Sequence, residues 1–543
     1  MKVVIIGGGT AGITAAVHLR RLDEHAEIVV LEKSDEFAVS TCGLPFLLGN
    51  IVKDPEQLRG ATVEQMKEIF RIDVHLKHEV VNIDKEKHLL TLDGRPSESY
   101  DKLLLATGAM QLRPDIDGIL GDNIFTLRDL NSVQKIKDYY IGTGAKRVVI
   151  LGGGDIGVEL AEAFHNLKAE VTIVEASAHI LPYLDKDTAA LVQNHVRDQG
   201  VKLILNDTIT EFKDNEIILQ SGISIPYDMA LIATGVKPDV KLPIMIDIDI
   251  GETGGIIVNK YMQTNNDDIY ACGDNVEVTN KITGRKERWA NATVAIKQAR
   301  VAAENIAGIN SSFGDVVGVS IVKVFDMMVS ASGCNEVKLQ KNNISFQKVH
   351  LLQADHSGYI PGADTMFFKL LFAPNGQILG IQGIGPKGID TRIDVIAQIM
   401  KKGGIYTDLL NAEMAYTPPF NTAKDAVNLL GSLVGGVVRD GVRYSYYDDI
   451  DWSLVGGEII LADTRSPQGF NASHITNAIN LPLATLRDNL NNIPRDKQII
   501  LYCNTGYGAY NAYCILAGHG FNNISLLSGS MDLYIQRSID EES

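Results

Sequence analysis

The sequence predicts a multidomain α/β protein: two doubly wound parallel-sheet domains, an α+β domain after them, and a small parallel α/β domain at the end. Three observations carry this. A strand–glycine turn–helix–strand unit opens the chain and recurs near residue 147, strands and helices alternate between 316 and 435, and a second alternation begins after 449. At 543 residues the chain is too long for one hydrophobic core. Hydrophobic content of 45% and charged content of 22% are those of an ordinary globular protein.

The first unit reads KVVIIGGGTAGITAAVHLRRLDEHAEIVVLEK. Gly7, Gly9 and Gly12 form G-x-G-x-x-G between a strand and a helix, and Glu32 ends the next strand, followed by Lys33. Glycines at this spacing let the backbone approach a pyrophosphate at a helix N-terminus, and the acid can accept hydrogen bonds from ribose hydroxyls. The second unit, KRVVILGGGDIGVELAEAFHNLKAEVTIVEAS, repeats the pattern with Gly152, Gly154, Gly157 and Glu175, and carries Glu159 on its helix. Glu175 would repel a 2′-phosphate, and residues 176–185 hold no Lys or Arg, so the second fold is expected to take NADH over NADPH. Each half is followed by an ATG at a strand end, with Thr107 and Gly108 in one and Thr234 and Gly235 in the other, and Gly273-Asp274 comes later.

Two glycine fingerprints, two ATG segments and a late GD together resemble the pyridine nucleotide–disulfide reductases, over roughly residues 1–435. The resemblance implies FAD in the first fold (1–110 and 246–315), a nicotinamide dinucleotide in the inserted second fold (111–245), and Asp274 beside the flavin ribityl chain. It also implies a dimerisation domain at 316–435 and a homodimer with shared active sites.

Cys42, in STCGLPFLLG, has no second cysteine close by in sequence. A local dithiol is excluded, so it must work through a mixed disulfide, a persulfide or a sulfenic acid. Pro45 suits the first turn of a helix, which places Cys42 near a helix N-terminus and predicts a favoured thiolate. The neighbourhood resembles coenzyme A disulfide reductases through Cys42–Pro45, Arg20-Arg21-Leu22, GYIPGA from Gly358 and AYTPPFNTAKDAVN from Ala415. By that resemblance Tyr359 and Tyr416 are candidate acids for a leaving thiolate. Arg20, Arg21, Thr41 and Lys424 are candidates for substrate contact, with coenzyme A as a further ligand. On charge alone the arginine pair is equally a solvated helix face. Thr41 stands where that family carries Asn, Phe420 where it carries Tyr, and Asp155 where relatives place a larger apolar or aromatic residue. Single-cysteine NADH peroxidases and oxidases are the nearest rival, but they carry His at the place of Thr10 and Met at that of Leu44.

Residues 436–448 break the pattern and are expected to form a linker. Beyond them, Asp463-x-Arg465, the segment from Ser473 to Pro482, and Cys503 opening a glycine-bearing loop resemble rhodanese domains, over roughly 449–543. Backbone N–H groups in such a loop favour a thiolate. Cys272 and Cys514 are expected to be packing residues, and Cys334 to lie in a loop or at a strand edge without redox role. The five scattered cysteines suit a reducing cytoplasm. A net charge of −17 argues against nucleic acid, and no apolar run is long enough to span a bilayer. The N-terminus opens directly on a strand and is not expected to be a signal peptide. Together the resemblances imply an FAD-dependent oxidoreductase. It would use NADH to reduce a sulfur–sulfur bond held at Cys42, in a persulfide, polysulfide, or coenzyme A disulfide or persulfide, with sulfane sulfur accepted by Cys503. The alternatives are an NADH peroxidase or oxidase cycling a Cys42 sulfenic acid, and a redox sensor or sulfur carrier.

Overall fold

Short runs of β-branched and leucine residues build the central strands. Lys2–Ile6 (KVVII) is buried along almost its whole length, as a parallel strand covered on both faces must be. The computed structural model describes residues 1–542, in two compact units: Met1–Ala178 with Gly200–Val316, and His179–Gln199 with Val317 onward.

In the first unit, Lys2–Ile6 pairs in parallel with Glu27–Glu32 on one side and Lys102–Leu105 on the other, and Asp73–Leu76 and Ile269–Ala271 complete a five-stranded sheet. The second sheet repeats this plan around Arg147–Leu151, with Glu170–Val174 and Met229–Ile232 beside it. Helices Thr10–Leu22 and Asp155–Asn166 start directly from the two glycine turns. Where the chain passes between the folds, Ala109–Gln111 and Val236–Pro238 form a two-stranded antiparallel ribbon.

The second unit holds a five-stranded antiparallel sheet in the order Val319–Val324, Met327–Gly333, Ile378–Gly385, Thr365–Phe372, Gln347–Ala354. It also holds a five-stranded parallel sheet centred on Gln498–Tyr502 and flanked by Ile459–Asp463 and Ile524–Leu527. Two sequence boundaries need correction here. The segment expected to be a linker, 436–448, begins inside the helix Ala426–Val438, and its residues Tyr444–Ser445 form an edge strand paired in parallel with Leu526 and Leu527. The helix Lys186–Asp198, which the sequence places in the second dinucleotide fold, belongs to the second unit. There Asn194 Nδ2 donates to the Gln536 carbonyl at 2.9 Å, and Arg197 pairs with Asp540 at 2.8 Å.

A buried lysine organises this unit. Lys369 Nζ lies 3.1 Å from Asp185 and 2.6 Å from Asp187, and also pairs with Glu336. Burial alone would strip its proton, but the three carboxylates outweigh burial and raise its pKa. The ammonium occupies the centre of an acid cluster that could otherwise hold a cation. Among the described residues no helix is long and apolar enough to cross a membrane.

Candidate active site

The two glycine turns match in detail. A Cβ on Gly7 would run into the Ala106 carbonyl, and one on Gly12 into the Gly7 carbonyl; Gly152 and Gly157 repeat both relations with Ala233 and Gly152. Gly7 and Gly152 also have φ of 114° and 107°, in the left-handed region where glycine is favoured. At Gly9 and Gly154 a Cβ would meet nothing. Open space over a helix N-terminus is what a pyrophosphate needs. Glu32 accepts the Gly8 N–H at 2.7 Å, and Glu175 accepts the Gly153 N–H at 2.7 Å. In both folds the acid is thereby fixed beside its turn.

The ATG threonines are joints. Thr107 Oγ1 donates to the Asp239 carbonyl at 2.7 Å, and Thr234 Oγ1 to the Leu112 carbonyl at 2.8 Å. Gly108 and Gly235 sit at positive φ, with open space where a Cβ would be. Lys33 is paired with Asp239 at 2.9 Å, so its ammonium ties the end of the strand Glu27–Glu32 to the second ATG segment. Asp239 is a site residue the sequence reading missed, although it closes the second ATG motif. Beside Gly273 and Asp274, the buried Asn275 donates to Thr107 Oγ1 at 3.0 Å while its own Oδ1 has no partner. Burial pushes the Asp274 carboxyl up, against a backbone hydrogen bond from Asn291. The open turns, the fixed acids and the orphaned Asn275 oxygen fit a dinucleotide in each fold, FAD in the first and a nicotinamide dinucleotide in the second.

Cys42 occupies the turn Thr41–Gly43, immediately before the helix Leu44–Leu48, which has Pro45 in its first turn. That short helix packs on Asp155–Asn166, and a small cleft between them is lined by Pro45, Phe46, Glu159 and Glu162. This brings Glu159 to the cysteine. Cys42 is exposed on one face, yet its thiol is pushed up by the protein packed behind it, and then by the Glu159 and Asp274 carboxylates. The expected thiolate-favouring setting is therefore corrected. A turn and a five-residue helix are outweighed by desolvation and two facing acids. Glu159 itself is pushed up to about 7 by burial, with Asp155 and Glu162 adding to it.

The candidate phosphate ligands separate. Arg20 is buried, and its guanidinium donates to the carbonyls of Phe70, Arg71, Asp23 and Glu24 at 2.7–3.0 Å. It ties a helix end to a neighbouring turn, with four of its five N–H donors taken and the side chain buried away from any ligand, which corrects its assignment. Arg21, Thr41 and Lys424 are exposed.

In the second unit Tyr359 and Tyr416 are 73% and 49% exposed. Their loops are fastened together, since the Ser357 N–H donates to the Pro418 carbonyl at 3.2 Å and the Ser357 hydroxyl to that of Asn421 at 3.4 Å. Cys503 ends the strand Gln498–Tyr502, and its Sγ accepts the Gly506 N–H at 3.1 Å, at the start of the helix Tyr507–Gly518. Arg465 makes a fork to Asp463 and reaches Asn504 Oδ1, next to Cys503, at 2.9 Å. Cys272 is buried, with its thiol pushed up to about 12, and Cys334 is buried too. Cys514, expected to pack, is exposed.

Residues 1–299 match the family described as pyridine nucleotide-disulphide oxidoreductase. The chain belongs to that family. Residues 319–427 match its dimerisation domain, and 450–537 match a rhodanese-like domain. An NADH oxidase of Methanocaldococcus jannaschii is 31% identical, over 79% of this chain and 97% of its own. A coenzyme A disulfide reductase of Staphylococcus haemolyticus is 30% identical, over 79% and 98%. Two solved structures follow the chain almost end to end. The reduced CoADR-RHD of Bacillus anthracis has 34% identity, covers 99% of this chain and 98% of its own, and has a TM-score of 0.96. The NAD-dependent persulfide reductase from A. fulgidus has 32% identity, covers 98% and 100%, and has a TM-score of 0.93. Membership makes the chain a flavoprotein oxidoreductase that uses FAD and NADH.

Proposed function

We propose that the protein reduces sulfur–sulfur bonds with NADH, taking a persulfide, a polysulfide, or a coenzyme A disulfide or persulfide as acceptor. The observation that carries the reading is a lone Cys42 set among Glu159 and Asp274 in the dinucleotide unit, in a chain that ends in a rhodanese-like domain. The two full-length structural relatives, one a persulfide reductase, support it. FAD bound over the first glycine turn would supply the two-electron exchange between NADH and sulfur.

The chain's own residues do the rest. Cys42 attacks one sulfur of R–S–S–R′, forming a mixed disulfide and releasing R′S⁻. Two electrons originating from NADH then split that disulfide, returning Cys42 and releasing R–SH. The sum is RSSR′ + NADH + H⁺ → RSH + R′SH + NAD⁺, and with a persulfide the second product is hydrogen sulfide. Glu159, titrating about 7, is half protonated at neutral pH and can take the Cys42 proton or return it. Tyr359 and Tyr416 from a second copy of the chain, in a cytoplasmic homodimer with shared sites, would protonate the leaving thiolate. Arg21, Thr41 and Lys424 would meet the phosphates of a coenzyme A substrate. Cys503 would accept sulfane sulfur.

Anaerobic turnover with NADH against coenzyme A disulfide, coenzyme A persulfide, polysulfide and hydrogen peroxide tests this. A sulfur acceptor should be the best substrate. If peroxide is turned over fastest, the Cys42 sulfenic acid cycle replaces this reading.

A further inference from the structure

His350 lies on the strand Gln347–Ala354 and is buried. Its Nε2 is 2.9 Å from Asp187 Oδ2, and its Nδ1 is 2.7 Å from Ser528 Oγ. Asp187 stays ionised because Lys369 and His350 outweigh the burial that opposes it. A carboxylate only accepts, so Nε2 carries a proton, and in the neutral imidazole Nδ1 accepts the Ser528 hydroxyl. The groups facing the ring are Asp187 from the helix Lys186–Asp198, Lys369 from the neighbouring strand, Lys348 from its own strand, Ser528, and the rings of Phe367 and Tyr446. Burial, helped by the two lysines and opposed by Asp187, holds the imidazole below its ordinary value.

Ser528 begins a tight turn after the strand Ile524–Leu527. Gly529 and Ser530 both adopt left-handed backbone, with φ of 76° and 54°. A Cβ on Gly529 would strike Leu533, so the turn packs closely on the helix that follows. Leu533 is itself buried against Leu352 and Phe367 of the antiparallel sheet. At the far end of the turn Ser530 Oγ accepts the Cys503 N–H at 3.0 Å, and the Met531 N–H donates to the Cys503 carbonyl at 3.1 Å. One short turn therefore grips the backbone of Cys503 on both sides, while its other end is held by a side chain of the dimerisation-type domain.

We propose that His350 is a positioning residue for Cys503, acting through Ser528 and the turn to Ser530. This rests on the reading of Cys503 as a sulfur acceptor. In that step the Cys503 thiolate attacks the outer sulfur of a persulfide R–S–SH, R–S⁻ leaves, and Cys503 carries the persulfide.

The test uses the full-length holoenzyme with H350F, S528A and C503S. Three quantities are measured: sulfur transfer from glutathione persulfide to cyanide, read as thiocyanate; the pH profile of Cys503 alkylation, read by mass spectrometry of its peptide; and NADH-dependent reduction of coenzyme A disulfide. H350F and S528A should each slow thiocyanate formation at least about fivefold and move the midpoint of Cys503 alkylation, with disulfide reduction at the wild-type rate. If S528A, which removes only one hydroxyl, leaves both transfer and the alkylation midpoint unchanged, the proposal is overturned, whatever H350F does to folding. If C503S still forms thiocyanate at the wild-type rate, the reading of Cys503 fails, and the proposal goes with it. Loss of transfer in C503S together with unaltered transfer and an unaltered alkylation midpoint in S528A contradicts the positioning role alone.

Discussion

Cys42 and Cys503 both sit on turns that lead into helices, yet their surroundings oppose each other. Cys42 faces the Glu159 and Asp274 carboxylates, and its thiol is pushed up. Cys503 has an N–H aimed at its sulfur from Gly506, and its own backbone is clamped by the turn to Ser530. A cysteine before a helix is therefore no statement about charge. What faces the sulfur decides it, and that comes from elements distant in the chain. The difference suits two tasks. A cysteine that must trade protons and electrons each cycle benefits from a titrating neighbour, whereas one that holds sulfane sulfur benefits from a fixed donor.

The largest expected effect concerns the first cysteine. Cys42→Ser should lower NADH-dependent reduction of every sulfur acceptor by about a thousandfold or more, while FAD stays bound and is still reduced by NADH. Stopped-flow absorbance at the flavin band separates the two half-reactions. Wild-type turnover in this variant would erase the comparison.

The platform under the second cysteine can be broken from below. Lys369→Met leaves Asp185, Asp187 and Glu336 facing one another without their cation, and should cost about 3–5 kcal/mol. Denaturant unfolding followed by tryptophan fluorescence reads this, since both tryptophans of the chain, Trp289 and Trp452, are known positions and only Trp452 lies in the second unit. A Trp289→Phe background isolates its signal, and an unchanged midpoint there would mean the cluster does not support the unit.

Cofactor choice belongs to the Cys42 side. Glu175 is fixed by the Gly153 and Ser177 N–H groups, where it would repel a 2′-phosphate. NADH should exceed NADPH in kcat/KM by at least about tenfold, about 1.4 kcal/mol. Equal values would remove Glu175 from the account of specificity.

A smaller effect concerns the carboxylate that faces Cys42. Glu159 has a raised pKa, so it is neutral below about 7 and ionises as pH rises through that value, pushing the Cys42 thiol further up. Glu159→Gln removes that push. Inactivation by iodoacetamide at pH 8 should become a few times faster, and its pH profile should lose the inflection near neutrality. Slower alkylation would show that proton acceptance by Glu159 outweighs its repulsion of the thiolate.

The parts of this molecule legible in the sequence are those written locally. Each dinucleotide fold needs only an apolar strand, three spaced glycines and an acid, all within one short stretch, and Cys42 and Cys503 each announce themselves by the turn they open. The rest depends on distant pairing. Nothing near Cys42 in sequence names Glu159, because the two meet only when the helix Leu44–Leu48 packs on Asp155–Asn166. Arg20 looks like half of a surface pair until the carbonyls of Phe70 and Arg71 arrive from another turn. Tyr444–Ser445 has too few residues to show alternation, so an edge strand passes for a linker. His350 carries no motif, and only the folded second unit joins it to Ser528.

The central claim is the division of labour between the two cysteines, and the selectivity of Cys503→Ser tests it most directly. Steady-state kcat/KM of this variant should be measured with NADH under anaerobic conditions, on coenzyme A disulfide and on polysulfide side by side. The disulfide value should stay within about twofold of wild type, and the polysulfide value should fall about tenfold or more, roughly 1.4 kcal/mol of selective loss. Equal activity on both would place Cys503 outside the reductive pathway, and an equal loss on both would make it a support for the Cys42 site, contradicting the division.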